Sequence, residues 1–217
     1  MAKGIYVGVN DIARKVKKIY VGIDGVARKV KKAYIGVNGI AQEFYSAETL
    51  VPFTSNIFPR SWVESSDYLS ATANDKYGEW RIVAQSSYSE ANRLIHAFDG
   101  NDNTYYWGDE ILSSAGFEFL RIYTPNGVLI SPKEIKVKHK FVGNTSYPAT
   151  VVGVAPDGKS VTLGTLTPAS TEYTNTFTIS ENNFFNQFYI LLRQYSASQL
   201  TPYVYSFECV SGTLKAE

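Results

Sequence analysis

Glu134-Ile135-Lys136-Val137-Lys138-His139-Lys140-Phe141 alternates apolar and charged residues with one interruption, the imidazole of His139. A period of two puts Ile135, Val137, His139 and Phe141 on one face of a strand and the lysines on the other. The same signal recurs on both sides. Glu118-Phe119-Leu120-Arg121-Ile122-Tyr123 reads as a strand, and Tyr203-Val204-Tyr205-Ser206-Phe207-Glu208-Cys209 alternates with Tyr203, Tyr205, Phe207 and Cys209 expected inward. Phe188-Tyr189-Ile190-Leu191-Leu192 is a continuous apolar run that fits a central strand. Turn signals separate these runs at Pro125-Asn126-Gly127, Ser131-Pro132, Pro156-Asp157-Gly158 and between Ser198 and Pro202. Many short strands at this spacing predict an all-β sandwich or barrel. One short helix is expected, around Ser89 to His96.

The first 45 residues are different. A 14-residue unit is written almost three times, beginning at Tyr6, Tyr20 and Tyr34. Each copy carries a turn pair between β-prone runs: Asn10-Asp11, Asp24-Gly25 and Asn38-Gly39. The last two favour a two-residue hairpin turn with both φ angles positive. The reading is an array of short β-hairpins, too small to bury a core and suited to anchoring or assembly. Its Val and Ile face is expected to be buried, most simply in a homo-oligomer, with a trimer favoured. Residues 1–45 hold nine Lys or Arg against three acids, and residues 46–217 hold twelve against seventeen. The Arg-Lys-Val-Lys-Lys stretches read as solvated strand faces and edges. Binding of nucleic acid is disfavoured because no recognition motif accompanies them.

The domain plan is therefore residues 1–45 as repeats, 46–59 as a linker or lead-in, 60–212 as a β-sandwich and 213–217 as a tail. The single Cys209 excludes an intrachain disulfide. No apolar run is long enough for a membrane span, and no signal peptide is expected. A membrane partner is not expected. Synthesis in a cytoplasm is expected, with retention there or release by lysis.

Ala97-Phe98-Asp99-Gly100-Asn101-Asp102-Asn103-Thr104-Tyr105-Tyr106-Trp107 gathers oxygen donors in a Gly- and Asn-rich loop. Short side chains and carbonyls bent around one point suit a hard cation. Composition alone allows equally a polar turn whose Asp and Asn cap their own backbone.

Ser86-Ser87-Tyr88, Ala97 to Gly100 and Thr104 to Trp107 together resemble the opening signature of the discoidin family, also called the coagulation-factor type C or galactose-binding-like domain. Gly116 to Ile122, Val154 to Gly158 with Val161 to Leu166, and Tyr203 to Gly212 fit in order, although Val161 stands near the place of a usual Trp. The resemblance covers roughly residues 60–212. It implies an eight-stranded jelly-roll β-sandwich, carbohydrate binding in loops at one end, and a structural Ca2+ ion. On that pattern Asp99 is the first acidic ligand, Asp102 or Asn101 the second, Thr104 a hydroxyl and carbonyl donor, and Glu208 the carboxylate that closes the site.

The repeats resemble those at the start of minor structural proteins of bacteriophages that infect Gram-positive hosts. With a glycan-binding-like domain and no signal peptide, this implies a virion protein, tail- or baseplate-associated, that contacts other virion proteins and a host surface glycan. The alternative is a purely structural head or tail protein without sugar binding. A sugar site needs flat aromatics and planar polar groups. Candidates are Trp80, Arg81, His96, Tyr105, Trp107 and Asp109, with Trp62 and Tyr106 nearby. Trp80 and Tyr105 are favoured as exposed stacking residues, while Trp107 reads more readily as packing. No catalysis is expected: two His, one Cys and no nucleophile elbow leave little to build with, and nothing fixes the separation of a carboxylate pair such as Asp109 and Glu118.

Overall fold

A computed structural model describes residues 6–9, 12–16, 19–30, 32–37, 40–46, 49–66, 69–84, 93–107, 117–143, 149–180, 182–192 and 200–216. The chain forms two compact units, Met1–Leu50 with Ala216–Glu217, and Val51–Lys215.

The first unit holds three antiparallel hairpins. β1 (Tyr6–Val9) pairs β2 (Ile12–Lys15), β3 (Tyr20–Ile23) pairs β4 (Val26–Lys29), and β5 (Lys32–Val37) pairs β6 (Ile40–Ser46). Asp24 and Gly25 take φ of 52° and 76°, the doubly positive geometry expected of that turn. The pairs Asn10-Asp11 and Asn38-Gly39 lie outside the described residues. In the single chain the apolar residues of the described hairpin β3–β4 are open to solvent, as a strip without partner copies would leave them. Tyr20, Val21, Ile23 and Val26 are 55, 46, 44 and 56% exposed. A two-stranded ribbon has no second layer to cover either face.

The second unit is a jelly-roll β-sandwich. One sheet runs in the order β15 (Ser160–Thr165), β14 (Thr150–Val154), β17 (Gln187–Leu192), β12 (Phe117–Tyr123), β10 (Gly78–Ala84), β9 (Ser70–Asp75), β8 (Val63–Glu64). The other runs β11 (Tyr106–Trp107), β18 (Leu200–Ala216), β13 (Val128–Gly143), β16 (Tyr173–Thr178), with β7 (Thr49–Phe53) also pairing β18. The apolar run at Phe188 is central, as read, with neighbours on both sides. The expected short helix is a 3₁₀ turn at Leu94–Ala97; residues 85–92 lie outside the described residues.

Alternation in β13 has the consequence foreseen: Ile135, Val137, His139 and Phe141 are buried. In β18 it does not. Val204, Phe207 and Cys209 join the core, so the inward parity breaks between Val204 and Phe207. Tyr203 and Tyr205 pack on Tyr105 outside the main core cluster; Tyr203 is half-buried, whereas Tyr205 is buried beneath its neighbours at 5% exposed.

The centre of the core is aromatic. Phe58 meets Phe207, Phe188, Trp80 and Phe98 at centroid distances of 5.6, 5.8, 6.0 and 6.3 Å. Residues 46–59, expected as a linker or lead-in, contribute to this core. They carry β7, and their Phe58 is 2% exposed. The segment is stitched to the last strand by Ile57 N–H donating to Cys209 O and Cys209 N–H donating to Asn56 Oδ1, both at 3.0 Å. The expected tail, 213–217, is likewise part of β18 as far as Ala216.

Candidate functional site

β11 is an edge strand, and its register with β18 sets Tyr106 opposite Val204 and Trp107 opposite Tyr203. Tyr106 and Val204 point inward and are fully buried. Their neighbours therefore share the outer face. Trp107 and Tyr203 lie with ring planes within 18° and centroids 6.1 Å apart. Tyr105 meets Tyr205 at 5.3 Å and Tyr203 at 5.4 Å. The next strand, β13, adds its outward lysines: Lys138 Nζ stands 5.2 Å over the Tyr205 ring and Lys140 Nζ 4.8 Å over the Tyr203 ring. The result is two rows of contacts, Trp107–Tyr203–Lys140 across β11, β18 and β13, and Tyr105–Tyr205–Lys138 beginning one residue before β11. Aromatic faces and ammonium groups attract each other in this arrangement.

The two lysines differ in their surroundings. Lys138 reaches Glu172 Oε2 at 3.0 Å and Asp102 Oδ2 at 3.6 Å. Its hydrogen bond to Glu172 leads in holding the ammonium above the ordinary lysine range, against partial burial. Burial, reinforced by Glu172, raises the neighbouring Tyr205 phenol. Lys140 has no carboxylate partner among the described residues.

The loop from Asp99 to Thr104 closes on itself. Asp99 Oδ1 accepts from Asn101 N–H at 2.7 Å, and Oδ2 accepts from Thr104 Oγ1 at 2.8 Å. Asn101 Oδ1 accepts from Asn103 N–H at 3.1 Å. Asp102 faces Lys138, which also donates to its carbonyl oxygen at 3.3 Å. Glu208 is ion-paired with Arg60. With side chains 42 and 21% exposed, this pair contributes roughly 0–1 kcal/mol.

These engagements test the donor set expected of a Ca2+ site. Asp99, Asn101, Asp102, Thr104 and Glu208 are all present, and Arg60 joins the loop to the last strand. Each carboxylate, however, already has a donor from the protein, and the group between Gly100 and Glu208 is a guanidinium. Among the described residues no cluster of three or more His, Cys, Asp or Glu is placed to hold a metal. The arrangement fits a protein cation and does not fit a calcium ion.

Of the sugar candidates, Tyr105 and Trp107 come together around Tyr203, and the other described ones lie elsewhere. Trp80 needs correction as an exposed stacking residue: it is 0% exposed, because inward parity in β10 runs Trp80, Ile82, Ala84. Arg81 is on the other sheet, 5.3 Å over the Tyr123 ring, and does not join the Trp107 face. His96 sits in the 3₁₀ turn with Nδ1 buried and unbonded among the described residues. It contributes to the field at Glu64, whose carboxyl is nonetheless pushed up by burial while Arg93 pairs with it at 3.2 Å. Trp62 donates from Nε1 to Pro59 O at 3.0 Å, and Tyr106 stacks on Phe119 at 4.7 Å. Asp109 lies outside the described residues. Glu118 is ion-paired with Arg121. Sequence reasoning missed Tyr203, Tyr205, Lys138 and Lys140 as site residues. The alternation of β13 had already put its lysines outward.

No family model matches the chain, and no curated protein matches it. Among solved structures it is similar to chitosan-binding module 1 from a chitosanase/glucanase of Paenibacillus sp. IK-5, with 16% identity, 60% of this chain and 92% of that chain covered, and a TM-score of 0.43. It is similar to the family 32 carbohydrate-binding module of NanJ from Clostridium perfringens in complex with galactose, with 13% identity, 66% and 98% coverage, and a TM-score of 0.43. It is also similar to a fucolectin from Morone saxatilis serum, with 14% identity, 63% and 47% coverage, and a TM-score of 0.46.

Proposed function

We propose that Val51–Lys215 is a non-catalytic carbohydrate-binding module, and that the whole chain is a structural or receptor-binding protein of a bacteriophage virion whose ligand is a host surface glycan. The observation that carries the binding proposal is the outer face built from Trp107, Tyr203, Tyr105 and Lys140. An aromatic surface offers the C–H face of a pyranose a flat partner, and an adjacent ammonium serves its hydroxyls or an acidic substituent. A shallow face of this kind binds weakly as a single copy, so useful affinity requires several copies.

The hairpin unit supports the second half of the proposal. Its exposed Val21, Ile23 and Val26 need a covering surface, which other copies of the chain or other virion proteins would supply. A homotrimer is the favoured assembly. The binding proposal is tested on a glycan array followed by titration with Gram-positive cell-wall polysaccharide. Binding that disappears in Trp107→Ala supports it. A stable, assembled chain that binds no glycan favours the purely structural role.

A further inference from the structure

We propose that Arg60, helped by Lys138, is a built-in cation that joins the acidic loop to the last strand and makes this junction independent of metal ions. Three elements meet here. The segment before β8 runs beside β18, fixed by the Asn56 and Ile57 hydrogen bonds to Cys209 and by Phe58 in the core. That placement brings Arg60 to Glu208, one residue before Cys209.

The guanidinium also lies against the loop. A Cβ built on Gly100 would sit 2.8 Å from Arg60 Cζ and 3.1 Å from Nε. Gly100 has φ of +78°, so the residue serves both the turn and the close approach. Lys138 takes the carbonyl oxygen and carboxylate of Asp102, in the same loop. Asp99 spends both oxygens on Asn101 and Thr104. A divalent ion would have to displace a guanidinium from Glu208 and draw Asp99 away from its own turn. The planar fork of arginine supplies positive charge and directed donors at this point already.

The junction and the glycan face can fail separately, since sugar binding enters neither readout below. The full chain is melted in chelator and in millimolar calcium chloride, and titrated with terbium. The expected result is one melting temperature in both solutions and no sensitised terbium luminescence. Arg60→Ala and Glu208→Gln each lower the melting temperature by about 2 °C, and the double variant falls no further than either single one. Calcium stabilisation of the wild type that Glu208→Gln abolishes overturns the proposal. So does a double variant whose loss equals the sum of the two. If Arg60→Ala does not fold, the calcium and terbium experiments on the wild type still decide.

Discussion

His139 Nε2 donates to Asn175 Oδ1 across 2.8 Å, from the inward face of β13 to β16. The same Asn175 oxygen accepts from Thr167 N–H at 2.9 Å, and the Asn175 amide donates to Thr167 Oγ1 at 3.0 Å. The imidazole stacks on Phe141 at 4.7 Å and is 0% exposed. Its Nδ1 has no partner among the described residues. Burial therefore lowers the His139 pKa below its ordinary value, against the opposing pull of Asn175.

The sign of the pH effect follows. Below about 6.5 the unfolded chain binds a proton on this histidine that the folded chain refuses. Stability is fully present above the unfolded pKa and falls as pH drops from there toward the folded one. Denaturant melts at stepped pH check this. His139→Phe is expected to flatten that part of the profile. Comparison with the variant is needed because the raised Glu64 acts in the opposite sense, losing stability as pH rises.

Phe58 anchors the lead-in segment among four aromatic rings. Phe58→Ala is expected to cost about 3–5 kcal/mol in urea denaturation, the usual range for a large core ring. A loss near zero would mean that the sandwich stands without this segment.

Gly153 lies under the Phe185 ring, where a Cβ would come 2.8 Å from two ring atoms. Gly153→Ala is expected to destabilise by about 1–3 kcal/mol, because the ring must shift inside a packed core. Phe185→Leu combined with Gly153→Ala is expected to recover part of the loss, as read from denaturation midpoints.

Val21 and Ile23 are 46 and 44% exposed in the hairpin unit. On the proposed assembly they are covered in the homo-oligomer. Light scattering on the full chain is expected to give three copies of a 24.1 kDa subunit. Val21→Asp with Ile23→Asp is expected to shift the mass toward one copy while leaving the sandwich folded by circular dichroism.

Legibility in the sequence followed periodicity. The 134–141 run shows its strand and its buried face because its two parities differ sharply in polarity. Asp24-Gly25 shows its turn because few residue pairs tolerate two positive φ angles. Tyr203-Val204-Tyr205 does not show its inner face, since both parities are apolar and the break before Phe207 leaves no local mark. The inward placement of Trp80 is legible in its alternation with Ile82 and Ala84, while an indole by itself suits a core and a sugar face equally. The Arg60–Glu208 contact joins residues 148 apart in sequence and has no local signature. The Asp99 loop is legible as oxygen-rich, with a cation site and a self-capping turn equally open on composition, because the partner of each carboxylate depends on which strands come together.

The most direct test of the central claim is a titration of the full chain and of a Trp107→Ala, Tyr203→Ala double variant with the glycan that an array selects. The account predicts saturable binding by the wild type and at least about a tenfold loss in the variant, equivalent to about 1.4 kcal/mol, with an unchanged circular dichroism spectrum. Equal affinity in the two proteins would contradict it.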